Sequence, residues 1–172
     1  MFLYILIRFK NWQYGLGATA ALIHDTVIVL GVFSLFSSLM PFSMEIDQSF
    51  IAAILTIVGY SINDTVVVFD RVREFIGLRP KNELKTNMNE AICSTLSRTV
   101  NTSLTTFFVL LVIFIFGGEV IRGFVFALML GTIVGTYSSV FIASPIAYDF
   151  LKKDAAAAAE EGKTKKDAYT KR

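Results

Sequence analysis

The sequence predicts an all-α integral membrane protein with four full transmembrane helices and the end of another. Three observations predict it. Apolar residues fill 54% of the 172 positions and charged residues only 17%, whereas a soluble domain carries about a quarter charged residues. The apolar residues gather in runs long enough to cross about 30 Å of hydrocarbon, which takes about 20 helical residues. The basic residues fall almost entirely on one side of those runs, the asymmetry that orients membrane proteins.

The elements follow in chain order. Met1 to Ile7 is apolar and is followed by Arg8 and Lys10. A signal peptide places its charge before the apolar region, and so short a run cannot span alone. It reads as the tail end of a spanning helix whose beginning is missing. Full spans are expected at about 14–39, 50–69, 99–116 and 124–150. The first two are joined by Met40-Pro41 through Gln48, which holds two acids and no Lys or Arg. The last two are joined by a tight Gly117-Gly118-Glu119 turn. Residues 1–151 are expected to form the membrane domain. Residues 152–172, an alanine run followed by Lys, Glu, Gly and Thr, are expected to be a frayed helical extension and then a disordered cytoplasmic tail.

Orientation follows from charge. Of the 16 basic residues, only Arg122 lies opposite the other 15, which sit at Arg8 and Lys10, between spans two and three, and after span four. Basic loops stay cytoplasmic, so both ends of the chain are expected inside. Between spans two and three, Leu84, Met88, Ala91, Ile92 and Leu96 recur at helical spacing with Lys85, Asn89 and Glu90 between them. Residues 82–97 therefore read as an amphipathic helix, either lying on the cytoplasmic face or packed on the bundle ends. The fourth span carries Gly123, Ala127, Gly131, Gly135, Ser139, Ala143 and Ala147, all small and four residues apart. Such a stripe lets helix backbones approach closely in a membrane. Because four residues overshoot one turn of 3.6, it winds slowly round the helix and suits a long right-handed crossing.

Two acids sit well inside the spans. Asp25 lies in span one beside His24 and Thr26, and Asp64 lies in span two within Gly59-Tyr60-Ser61-Ile62-Asn63-Asp64-Thr65. A central Asp costs insertion about 2.5–3.5 kcal/mol, and such groups are functional by default. Asp64 stands about 10 Å from Arg71 at the inner end of its span, at 1.5 Å per residue. Arg98 opens span three and leads into Thr99, Asn101, Thr102, Ser103, Thr105 and Thr106. Two readings stand for Arg98: a snorkelling anchor at the interface, or a side chain reaching the depth of Asp64. Burial makes a carboxyl hold its proton and a nearby cation makes it release it. A changing distance between the two would load and unload a proton. Asn63 and Thr65 flank Asp64 and are expected to exchange hydrogen bonds with it in either state. The alternative for Asp64 is a structural hydrogen bond between helices, and for His24 and Asp25 a structural role is the expectation.

Other chemistry is excluded. One His and one Cys make no metal site, and the single Cys93 makes no disulfide framework. Cys93 reads as a small buried or interfacial residue. There is no glycine-rich phosphate loop and no nucleophile–base pair, so no cofactor and no enzyme activity are expected. A net charge of +2 gives no case for nucleic acid.

Several stretches together carry a family resemblance: Arg8-Phe9-Lys10-Asn11-Trp12, Ala21-Leu22-Ile23-His24-Asp25, the long run from Gly59 to Glu74, Leu96-Ser97-Arg98-Thr99 with Thr102-Ser103, and Phe116-Gly117-Gly118. In this order, and over nearly the whole chain except the tail, they resemble the SecD/SecF family of protein-export membrane proteins, on its SecF side, within the RND superfamily of proton-driven exporters. The resemblance implies half of a pseudo-symmetric helix bundle in the bacterial inner membrane, the other half being SecD. It implies an auxiliary subunit of the Sec translocase that works beside SecYEG and pulls or holds an emerging preprotein as protons flow. The family's essential membrane acid falls on Asp64 and its arginine partner on Arg98. The chain departs from the pattern by lacking the first helix, the periplasmic domain and most of the second helix. A fragment, a late start or a piece of a SecD–SecF fusion is therefore expected. Two other functions compete: a proton-driven exporter of lipids or small molecules, which needs a large periplasmic porter region, and a purely structural subunit, in which Asp64 is replaceable.

Overall fold

The structure, a computed structural model, describes residues 11–154 and Ala157. Four helices cover most of it: α1 (Trp12–Phe36), α2 (Gln48–Leu78), α3 (Leu84–Phe116) and α4 (Glu119–Ser138). The last continues through a π-helical turn, Ser139–Ala143, as part of one span, Glu119–Asp154. All four are long and apolar enough to cross a membrane, and no strand occurs among the described residues. The helix end expected at Met1–Ile7, with Arg8 and Lys10, lies outside the described residues, as does the tail beyond Asp154 apart from Ala157.

Local chemistry sets the helix ends. Asp47 caps α2 by accepting from the Phe50 N–H at 2.8 Å, which satisfies one of the orphan donors of the first turn. Pro80 ends α2: the residue before a proline is pushed out of helical geometry, and Arg79 has left it at φ −129° and ψ 63°. Gly117 and Gly118 are both extended and separate α3 from α4. A Cβ on Gly117 would strike the Ile113 carbonyl oxygen, so this tight turn needs glycine there. Glu119 sits in the first turn of α4, where a negative charge complements the helix dipole.

The amphipathic segment 82–97 is not a separate helix. From Leu84 it is the first part of α3, continuous with the third span. No Gly or Pro interrupts 84–116, so nothing breaks the backbone ladder where the surface changes from mixed to apolar. Its Met88 and Ala91 are buried with Val68, Phe69 and Val72 of α2. The helix thus packs along the extension of α2 beyond Phe69.

Two apolar clusters hold the bundle. One joins Tyr14, Ala18 and Ala21 of α1 to Val68, Phe69 and Val72 of α2, Met88 and Ala91 of α3, and Ala143 and Ala147 near the chain's end. The other joins Val29 and Phe33 of α1 to Phe50, Ala53 and Ile57 of α2, Ala127 of α4 and Met44 of the first loop. Phe33 and Phe50 pack there as a tilted pair with ring centroids 4.5 Å apart. Between the two clusters, α1 carries the buried Asp25, α2 carries Ser61, Asp64 and Thr65, and α4 with its π-helical turn carries Thr132, Ser138 and Ser139. The outer faces are apolar and exposed, as at Ile23, Val27, Leu104, Phe108, Val112 and Phe141, which suits contact with lipid. In lipid, such a bundle holds by close packing and interhelical hydrogen bonds rather than by exclusion of water.

Candidate functional site

The polar layer between the clusters contains Asp25, Ser61, Asp64, Thr65, Thr132 and Ser138, all buried. Thr99 and Ser103 of α3 are buried as well. Most hydroxyls here bond back to their own helix: Thr65 to the Ser61 carbonyl at 3.0 Å, Ser103 to Thr99 at 2.9 Å and Thr132 to Leu128 at 2.8 Å. This is the default for Ser and Thr within a helix, and it leaves few donors for a buried acid.

Asp64 shows the result. It is 1% exposed, and neither carboxylate oxygen has a hydrogen-bond partner in the chain. Arg98 and Ser103 of α3 lie within electrostatic reach of it. Ser103 gives its hydroxyl to Thr99 and pairs with Thr136 of α4, and Tyr60 reaches it at 3.4 Å. Thr99, one turn from Ser103, also buries a hydroxyl without a partner. Native proteins leave few such groups unsatisfied. Asp64 on α2 and Thr99 on α3 are thus both buried without a hydrogen-bond partner.

Asp25 stands in the opposite situation. Its Oδ2 accepts from Ser61 Oγ of α2 at 2.7 Å and from Ser138 Oγ of α4 at 2.8 Å. Its Oδ1 lies 3.2 Å from His24 Nδ1. One carboxylate therefore ties three helices.

The other residues singled out by the sequence fall as follows. His24 is half-buried beside Asp25, with its ring 6.5 Å from that of Tyr137. Arg98 is exposed on α3. Asn63 is exposed and turned away from Asp64, and Thr65 spends its hydroxyl on its own helix. The expectation that both exchange hydrogen bonds with Asp64 is not met in this conformation, because sequence neighbours are splayed about 100° apart round a helix. Of the small-residue stripe, Ala127, Gly131, Gly135, Ser139, Ala143 and Ala147 are buried and Gly123 is half-buried. Gly131 faces Ile57, Gly135 faces Ser61, Gly123 faces the Ser43 backbone, and Ala143 faces Gly17 of α1. Cys93 is exposed.

Sequence reasoning missed Ser61, Ser138, Tyr60 and Thr136. Ser61 lies in the motif around Asp64, and Ser138 beside the stripe residue Ser139, so the only signal was a hydroxyl in an apolar run. It also missed the π-helical turn. Pro145 has no N–H and its ring crowds the preceding turn. Widening that turn relieves the crowding, and Ser144 bonds the Ser139 carbonyl at 2.9 Å across it.

Known proteins share this sequence and architecture. Residues 1–153 match the family described as protein export membrane protein SecD/SecF, C-terminal. The protein translocase subunit SecF of Rhodothermus marinus is 55% identical over 156 residues, which are 91% of this chain and 50% of that protein. The SecF of Cereibacter sphaeroides is 50% identical over 143 residues, 83% of this chain and 42% of that protein. The chain thus spans about half the length of these curated relatives, or less. A crystal structure of SecDF in a super-membrane-facing form aligns with a TM-score of 0.82 at 41% identity, covering 93% of this chain and 21% of that one. SecDF from Thermus thermophilus, a translocon-associated membrane protein, aligns at 0.77 and 42% identity, covering 88% and 20%. The match over nearly the whole described bundle, in sequence and in fold, places the chain in the SecD/SecF family of protein-export membrane proteins, in its C-terminal membrane region.

Proposed function

We propose that this chain is the membrane portion of a SecF subunit, which together with SecD couples proton flow to preprotein export through the Sec translocase. The observation that carries the reading is Asp64. It is a buried acid with no hydrogen-bond partner within 3.5 Å, facing a helix that bears Arg98 and the Ser103 hydroxyl. Insertion scales disfavour such a group by about 2.5–3.5 kcal/mol, and a group kept at that cost answers to function rather than stability. Asp64 is the proton carrier and Arg98 its charge partner. Their separation sets whether the proton is held. The neighbouring SecDF structures and the SecF relatives support SecD as the partner. SecYEG and the emerging preprotein follow as further partners, the preprotein being met by a periplasmic domain outside this sequence. The site is the bacterial inner membrane, and the surrounding partner is lipid.

Arg98 tests the pairing. In full-length SecF with SecD, gradient-stimulated export into membrane vesicles is expected to fall to its gradient-independent level in Arg98→Ala. Arg98→Lys keeps the charge but loses the planar fork. It should retain part of the stimulation if charge alone matters, and little if a two-pronged contact forms during the cycle. Full stimulation in Arg98→Ala would remove Arg98 from the site and leave it as an interfacial anchor.

The reading also fixes orientation. Basic residues gather at Arg71, Arg73, Arg79, Lys81 and Lys85 and at Lys152 and Lys153, with Arg122 alone opposite, so both ends of the chain lie in the cytoplasm. The α1–α2 loop with Glu45 and Asp47 then faces the periplasm. In a Cys93→Ser background, a cysteine at position 45 should react with an impermeant maleimide in intact spheroplasts. Reaction from the cytoplasmic side alone would reverse the topology.

A further inference from the structure

The polar layer holds a second buried acid that the proton step does not use. Asp25 is as buried as Asp64, yet it is fully engaged: Ser61 and Ser138 donate to one of its oxygens, and His24 flanks the other. Ser138 shares its hydroxyl between Asp25 and the Gly135 carbonyl of its own helix at 3.1 Å, while Ser61 bonds only across to Asp25, in a layer where most hydroxyls turn back on their own helix. A serine inside a helix falls back on a carbonyl three or four residues earlier when it has no better acceptor. Ser61 therefore reaches across because Asp25 is there, and a charged acceptor makes the stronger bond.

Position gives the bond its consequence. Ser61 stands three residues before Asp64 on α2, so the two side chains are one turn apart and about 60° round the helix from each other. Gly135 of α4 lies directly against Ser61, and Gly131 lies against Ile57, one turn earlier on the same face. Ile57 and Ser61 thus turn one face of α2 to α4, and Ser61 also meets α1 through Asp25. The neighbouring face carries Asp64 toward Ser103 and Arg98 of α3. Glycines on α4 set how close α2 comes, and the Ser61–Asp25 bond adds a directional tie between α1 and α2 one turn from Asp64.

We propose that Asp25 is a positioning residue for Asp64: through Ser61 it fixes the rotation of α2 that keeps the acid turned inward against α3. The proposal rests on reading Asp64 as the proton-carrying group. Among the described residues, the titratable groups about this junction are His24 on α1, Tyr137 on α4, and Tyr60 and Asp64 on α2, with Arg98 facing Asp64 from α3.

The test follows Asp64 directly rather than through export. Full-length SecF with SecD is treated with dicyclohexylcarbodiimide, an apolar reagent that modifies protonated membrane carboxyls, over a range of pH. Mass spectrometry then reads modification at Asp64 and at Glu119. Asp25→Asn and Ser61→Ala are each expected to modify Asp64 several-fold faster than wild type and to move the midpoint of its pH profile, with Glu119 unchanged. Thr26→Ala, whose hydroxyl bonds only the Leu22 carbonyl of its own helix at 2.8 Å, is expected to match wild type. Wild-type rates and midpoint in both Asp25→Asn and Ser61→Ala overturn the positioning role and leave the proton site standing. So does an equal rise at Glu119, which marks a generally loosened bundle. If Asp64 does not titrate in the wild type, the proton-site reading itself fails and the positioning role falls with it.

Discussion

Membrane vesicles carrying Asp64→Asn in full-length SecF should export preprotein with no response to a proton gradient, while the complex with SecD still assembles. Asn has nearly the shape of Asp and cannot carry the proton. The more telling half of the result is stability. Asp64 is buried with both oxygens unpartnered, and a buried charge without hydrogen bonds is unfavourable. Replacing it with an amide removes the charge and leaves the smaller cost of an unpartnered neutral group, so the thermal midpoint of Asp64→Asn in detergent should equal or exceed that of wild type. Buried polar substitutions ordinarily do the reverse. A change that abolishes function and does not weaken the fold marks a group held for function at the expense of stability. Vesicles of Asp64→Asn that respond as fully as wild type would defeat the proton assignment and favour the structural-subunit reading. Loss of assembly together with loss of response would make Asp64 a structural group.

The spans are legible in the sequence because a bilayer imposes a length and an apolar surface that few other environments require. Asp64 is legible for the same reason: a charge in such a run stands out. What the sequence hides is rotation. Asn63 and Thr65 are adjacent to Asp64 in sequence, yet one faces outward and the other bonds its own helix. A spacing of four picks out Ser139 as part of the small-residue stripe. The bond to Asp25, however, comes from Ser138, which the stripe passes over. A hydroxyl serves its own helix or its neighbour's equally well, and only packing decides which. The continuity of α3 was hidden differently. An amphipathic stretch followed by an apolar one resembles a boundary, but both halves have the helical period, and no Gly or Pro separates them.

Close packing along the fourth span supplies the second large effect. Gly131→Leu and Gly17→Leu should each loosen the bundle, and for different physical reasons. A Cβ on Gly131 would enter the space of the Ile57 side chain, and one on Gly17 would meet the carbonyl oxygen of Ala143 in the π-helical turn. A side chain can change rotamer, whereas a backbone carbonyl within a helix has nowhere to go. Gly17→Ala should therefore already lower the thermal midpoint, while Gly131→Ala should be partly absorbed by Ile57. Overpacking typically costs about 1–3 kcal/mol. In lipid no hydrophobic force between helices offsets it, so the Leu variants should part α1 from the π-helical turn, or α2 from α4, rather than compress them. Gly59→Ala is the control, because nothing lies within 4 Å of its Cβ position. Thermal midpoints in detergent and recovery of SecD on co-purification give the measurement. Gly17→Leu and Gly131→Leu should fall in both, and Gly59→Ala should keep the wild-type midpoint. If both Leu variants keep wild-type stability and retain SecD, the close approach of these backbones does not hold the bundle together.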